Sequence, residues 1–272
     1  MFKRKKQEEL TKNNKKKSFL DEQIRDLSDD LNDLRNVRLS FIIFCALAIL
    51  FLFYLIIDYL YTFKKFSGAG FWIYVISFPL YIIMGTISLK SINKFIRKTK
   101  NKYDIAVKER QAEKEVQGFL RKNLTEEYHI FENVYTGFGD IDAIVVGSTG
   151  VYMIEVKSNS GVVTTNEKGY LSIIDGDTPN KNYREQVIKE LSQVKKYIDN
   201  NTGLKSWVNP VLVFPFGSVW KDLFLDSEYD NYKIPVLNEK DLMKYIYSNN
   251  QTPLTPEQVK KISQVLEEWQ KD

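Results

Sequence analysis

Two acids and one lysine have the types and spacing to do chemistry: Asp142, Glu155 and Lys157. They sit in Asp140-Ile-Asp142-Ala-Ile-Val-Val and Val151-Tyr-Met-Ile-Glu155-Val-Lys157, joined by Gly147-Ser-Thr-Gly150. Two β-rich runs around a Gly-bounded turn predict a hairpin. Alternation along a strand puts Glu155 and Lys157 on one face. If the hairpin closes with Gly147 opposite Gly150, Asp142 falls opposite Glu155, with Cβ atoms about 4.5–5.5 Å apart. A three- or five-residue loop would shift that register, and Ser148-Thr149 is not a favoured two-residue turn. Carboxylates that close repel unless a positive charge lies between them, and Mg²⁺ takes oxygen ligands at about 2.0–2.1 Å. Two acids and a lysine on one metal suit phosphodiester hydrolysis. The metal polarises the phosphate and acidifies a bound water, and the ammonium stabilises developing charge. A surface hairpin with an ordinary cross-strand ion pair fits the same three residues.

The elements that must position these side chains follow an α/β pattern. A helix is expected over roughly 106–122, then strands at 128–134, 141–146, 151–157 and 170–174. A helix over about 183–199 begins near Pro179 and Asn182, with Gly203 just past its end. Strands follow at 208–214 and 233–237. The last helix has Thr255 as cap, Pro256 at its first position and Gln258 completing a capping box.

Composition adds a membrane. Residues 39–57 and 66–89 carry no charge, and roughly 20 apolar residues span a bilayer core. The reading is a transmembrane hairpin, with spans at 39–58 and 70–90 and a loop at 59–69. The first run follows 38 largely polar residues, so it is no cleavable signal peptide. Residues 1–38 hold 11 Lys or Arg against 8 acids, and residues 90–102 hold six and no acid. Positive flanks place both termini in the cytoplasm of a multi-pass protein of the cell membrane. The basic pI near 8.8 misleads, because residues 103–272 carry 20 Lys or Arg and 26 acids, a net −6. Nucleic acid must therefore be met by a local patch or a metal, not by bulk charge. Cys45 and His129 are the only residues of their kinds, which excludes a disulfide within the chain and a multi-His zinc site. No Gly-x-Ser-x-Gly element is present for a serine hydrolase. Before the first span lies a basic tail, 1–17, and a helix over 18–38. Leu20, Ile24, Leu27, Leu31 and Leu34 are spaced 4-3-4-3, a short heptad seam. Two readings stay open: packing against its own protein, or a homo-oligomer through 18–38.

The stretch from Ala112 to Ile198 resembles the nuclease-related domain (NERD), a branch of the PD-(D/E)xK nuclease superfamily. The matching residues are Ala112-Glu-Lys-Glu-Val116, Phe131-Glu-Asn-Val134, Gly139-Asp-Ile-Asp142, Gly150-Val-Tyr-Met-Ile-Glu-Val-Lys157, Gly161 and Asn182-Tyr-Arg-Glu-Gln186. The resemblance implies a restriction-endonuclease-like core, a mixed sheet flanked by helices, with Mg²⁺ or Mn²⁺ as cofactor. It implies Asp142 and Glu155 as metal ligands, Lys157 as catalytic lysine, Gln186 as the helical glutamine and a glutamate on the first helix. Glu113 and Glu115 compete for that last role. At about 100° per residue, Glu113 falls near the apolar face of Val116, Phe119 and Leu120, and Glu115 points away. Two departures are visible: Ile141 stands where the superfamily has Pro, and Tyr183 replaces the Pro of the Asn-Pro often seen before the Gln. Asp140 is read as a loop residue sooner than as an extra carboxylate, and Lys181, Arg184, Lys189, Lys195 and Lys196 as a solvated face or phosphate contacts. The nuclease-like domain is expected over 111–202, after a juxtamembrane helix at 91–110 and before an α/β extension at 203–272. The function expected is hydrolysis of nucleic acid, DNA before RNA, beside the lipid bilayer. A silent nucleic-acid or nucleotide binding module and a membrane scaffold are the alternatives.

Overall fold

The computed structural model describes residues 19–61, 68–136, 139–165, 171–176, 182–225, 233–249 and 253–271. The chain divides into two units, Asp21–Ala106 and a second whose body is Val107–Asp272.

The first unit is built on two long helices, α1 (Phe19–Tyr61) and α2 (Gly68–Asn123), the second of which continues beyond it. Helix α1 runs unbroken from the charged segment into the first apolar run. Its heptad seam does not stop at Leu34. The half-shielded residues Phe41, Cys45, Ala48, Leu52 and Leu55 continue the 4-3 spacing, and Leu31 is buried. On α2, a Cβ added at Gly85 would lie 3.7 Å from Cys45 Sγ. The two apolar stretches therefore touch, and the seam faces its own chain. The opposite face of α1 exposes Phe44, Leu47, Leu50, Phe51 and Tyr54, an apolar surface larger than a soluble monomer normally carries. Among the described residues, the stretch Phe19–Asp58 of α1 is the one helix long and apolar enough to cross a membrane. The second uncharged run, 66–89, begins outside the described residues, as do the basic tail and part of the loop with Lys64 and Lys65.

The second unit is a mixed sheet between helices. Strands β1 (His129–Tyr135), β2 (Asp140–Gly147) and β3 (Gly150–Val156) form an antiparallel meander. Next come β4 (Gly161–Thr165), β5 (Leu171–Ile174) and α3 (Tyr183–Thr202). The chain ends with β6 (Val208–Val213), β7 (Gly217–Val219), β8 (Phe224–Leu225), β9 (Ile234–Leu237), α4 (Glu239–Ser248) and α5 (Pro256–Lys271). The large sheet runs β1-β2-β3-β6-β9-β8, with β3, β6 and β9 parallel; a small sheet runs β5-β4-β7. A parallel step from β3 to β6 requires a crossover, which α3 supplies.

One face of the large sheet packs Ile144, Val146, Val151, Met153 and Leu212 against Val187, Leu191, Val194 and Ile198 of α3 and Ile262 and Leu266 of α5. The other packs Ala143, Val145, Tyr152, Ile154 and Val211 against Ala112, Val116 and Leu120 of α2 and Leu242 and Ile246 of α4. Buried on both faces, β2, β3 and β6 are near-continuous apolar runs, as central strands must be. Strands β6 and β9, from the expected extension at 203–272, complete the same sheet as β3. Helix α2 runs unbroken past residue 111.

Candidate active site

The β2–β3 hairpin closes as the sequence allows, with Gly147 opposite Gly150 and each pair in step to Ala143 opposite Ile154. The unfavoured Ser148-Thr149 turn is held by tyrosines. Tyr128 Oη lies 3.1 Å from Thr149 Oγ1, and Tyr152 Oη donates to Thr149 O at 3.1 Å. A Cβ at Gly147 would meet the Tyr128 ring at 2.1 Å, so that ring's approach demands glycine.

At the next step the ladder changes. The same register would send the Val156 N–H to Ile141 O; it donates to Asp142 Oδ2 at 2.6 Å. Strict alternation also fails here. Ile141 and Ile144 lie in the same core face, as do Phe131 and Val134 on β1, and Asn133 between them has φ 52°. Two paired strands swap faces together at Asn133 and Asp142. The swap frees the Asp142 carboxylate to reach the β3 backbone. Helix α2 fixes this step: Gln117, itself buried, donates from Nε2 to Asp142 O at 2.9 Å and to Asn133 Oδ1 at 3.3 Å.

Glu155 and Lys157 stand at the C-terminal end of central strand β3, where the Lys157 N–H still donates to Val213 O at 2.8 Å. Lys157 Nζ donates to Glu155 Oε1 at 2.6 Å and to Gln186 Oε1 at 3.2 Å. Gln186 Nε2 donates to Glu155 Oε1 at 2.8 Å and to Glu190 Oε1 at 2.9 Å. The Tyr183 ring lies 4.8 Å from Lys157 Nζ, a cation–π contact, and its hydroxyl donates to Asn159 Oδ1 at 3.0 Å. Asn182 caps α3, its side chain accepting from the Glu185 N–H, so Tyr183 and Gln186 occupy a pinned first turn. Glu113 on α2 is mostly shielded and paired with Arg110 at 2.8 Å, while Glu115 is exposed.

The pocket is electrostatically crowded. Burial raises the Asp142 carboxyl well above its ordinary range, and the charges of Glu155 and Glu113 raise it further against Lys157 and the Val156 N–H. Burial also raises Glu113, opposed by Arg110. Glu190 is pushed up to about 8, first by burial and then by Glu155. Burial would lower the Lys157 ammonium, but Glu155 and Asp142 together outweigh it and hold it above its usual value.

Among the described residues, no three Asp, Glu, His or Cys side chains are gathered closely enough to hold a metal ion. Glu155 is engaged by Lys157 and Gln186, and Glu113 by Arg110. The donor chemistry nevertheless fits a hard divalent cation. Glu155 Oε2 is buried with no hydrogen-bond partner, and a buried acceptor of that kind is costly unless something cationic or protic meets it.

Other expected residues lie elsewhere. Asp140 opens β2 and acts on Glu113 through its charge. Lys189 and Lys196 are exposed, Lys195 lies 5.8 Å from the Trp207 ring, and Lys181 is outside the described residues. His129 opens β1. Gln117 and Arg110 carry no role in the sequence reading, where Asn133 stands only within the matched Phe131-Glu-Asn-Val134. The spacing of Arg110, Glu113 and Gln117, at three and four residues on one helix, is the signal for the first two.

A mixed sheet covered by helices, with an acid–acid–lysine group at the end of a central strand, is an α/β core consistent with the nuclease-like class. Residues 108–215 match the family model of the nuclease-related domain, NERD, and the chain carries that domain. The match runs from the C-terminal turns of α2 past the end of β6. No curated protein and no solved structure matches the chain.

Proposed function

We propose that the protein is a membrane-anchored, divalent-metal-dependent nuclease that hydrolyses phosphodiester bonds, DNA before RNA. The observation that carries this reading is the buried meeting of Asp142, Glu155 and Lys157 inside a nuclease-related domain. Asp142, Glu155 and Glu113 are the residues that would hold Mg²⁺ or Mn²⁺, which supplies a Lewis acid and a bound water of lowered pKa. Lys157 keeps its proton and faces the developing phosphate charge. Gln186 and Tyr183 hold its ammonium in place.

The anchor is a hairpin of α1 and the apolar head of α2, supported by the Cys45–Gly85 approach and the lipid-suited face of α1. The positive flanks favour the cytoplasmic side of the cell membrane for both termini and the domain. The shielded seam of α1 favours packing within the hairpin over a homo-oligomer through 18–38.

The test is cleavage of plasmid and single-stranded DNA by the full chain in detergent with Mg²⁺ or Mn²⁺. Wild type should cut, chelator should stop it, and Asp142→Ala and Lys157→Ala should each lose about 100-fold or more. Equal cleavage by both variants removes the mechanism. A second reading, a silent binding module, is favoured by the ungathered carboxylates. Metal-dependent DNA binding without turnover would select it.

A further inference from the structure

The polar stripe of α3 continues past Gln186. Glu190 lies one turn further along, and the single amide nitrogen of Gln186 clamps Glu190 Oε1 and Glu155 Oε1 together at 2.9 and 2.8 Å. The second oxygens of both carboxylates are buried and lack partners. Two acidic groups held this closely by one donor leave a seat that only a proton or a cation fills. Glu155 is all but inaccessible to solvent, at 4%, so bulk water does not satisfy its free oxygen. Helix packing places Glu190 there by necessity: Val187, Leu191 and Val194 are driven into the core, and the adjoining stripe must face the end of β3.

We propose that Glu190 is a further metal-ligating residue of this site, sharing a divalent cation with Glu155 under the clamp of Gln186. Its role is then direct contact with the ion rather than support of a ligand. The inference rests on the metal-dependent reading above, and it enlarges the acidic set to one residue from α2, one from β2, one from β3 and one from α3. It also gives Gln186 a specific task, holding Glu155 and Glu190 at a common point while accepting from Lys157.

The experiment is titration of the full chain in detergent micelles with Mn²⁺ alone, by calorimetry, without nucleic acid. Wild type should bind Mn²⁺, and Glu190→Gln should weaken that binding at least tenfold. Outer-shell support alone can cost as much, so a second variant reads contact. Glu190→Cys should raise the Cd²⁺-to-Mn²⁺ affinity ratio at least tenfold over wild type, because a thiolate prefers the softer ion only when it touches it. An unchanged ratio overturns the inference, as does wild-type Mn²⁺ affinity in Glu190→Gln. Wild type that binds no Mn²⁺ overturns the metal-dependent reading with it. Wild type that binds and cuts while both Glu190 variants titrate like wild type overturns this inference alone.

Discussion

Lys157 answers several carboxylates at once, and the imbalance has a stability cost that mutation can reveal. Asp142 is buried, repelled by Glu155 and Glu113, and raised well above its ordinary range. The folded protein therefore disfavours the charged form of this carboxyl, a cost that serves no purpose in holding the fold. Asp142→Asn should raise the stability of the metal-free protein by about 1 kcal/mol while abolishing cleavage. Denaturant unfolding in chelator checks the first half, and a lower midpoint would contradict it. Gln117 has the opposite character. Removing its two hydrogen bonds by Gln117→Leu leaves Asp142 O without its side-chain donor, at a cost of about 1–3 kcal/mol. The same unfolding experiment should show it, together with reduced cleavage as the Asp142 step relaxes.

At the scale of elements, the site hangs on two short pieces of local order. Helix α3 starts at the Asn182 cap, one residue before Tyr183. Asn182→Ala should cost about 1 kcal/mol and should reduce cleavage more than that loss alone implies, because the freed turn carries Tyr183 and Gln186. A cleavage rate equal to wild type at full folding would refute the coupling. The hairpin turn is tied to α4, since Tyr152 Oη is also within 3.1 Å of Ile246 O. Burial pushes the Tyr152 hydroxyl up to about 12, above its ordinary 10. Its stabilising contribution is full below pH 10 and is lost as pH rises through 12. A melting temperature that falls over that range in wild type should fall less steeply in Tyr152→Phe.

Much of this was legible in the sequence. The glycine-bounded hairpin gave its own register, the apolar stripe of α3 marked its buried face, and Thr255-Pro-Glu-Gln258 forms the capping box expected of it. Strands β4, β7 and β8 were not legible, being short and held by pairing to distant partners rather than by a pattern of their own. Helix α4 was missed too, although Asn238 caps it, because only one buried pair, Leu242 and Ile246, marks its inner face. The face swap at Asn133 and Asp142 was hidden for a deeper reason. It depends on a left-handed asparagine and a glutamine from another element, neither of which alternation can register.

For the molecule as a whole, the apolar face of α1 makes a direct claim about fractionation. The protein should stay with the membrane through an alkaline carbonate wash and be released by detergent; release by carbonate would refute spanning. Charge makes a second claim. Residues 103–272 are net −6, and Glu113, Asp142, Glu155 and Glu190 crowd the very pocket a phosphate chain would have to enter. That crowding sets an order of arrival. A polyanion drifting in first meets its own sign, so in chelator fluorescence anisotropy should register only feeble capture of DNA. With Ca²⁺ loaded beforehand the same DNA should be caught tightly, making the small ion the doorkeeper and the nucleic acid its guest.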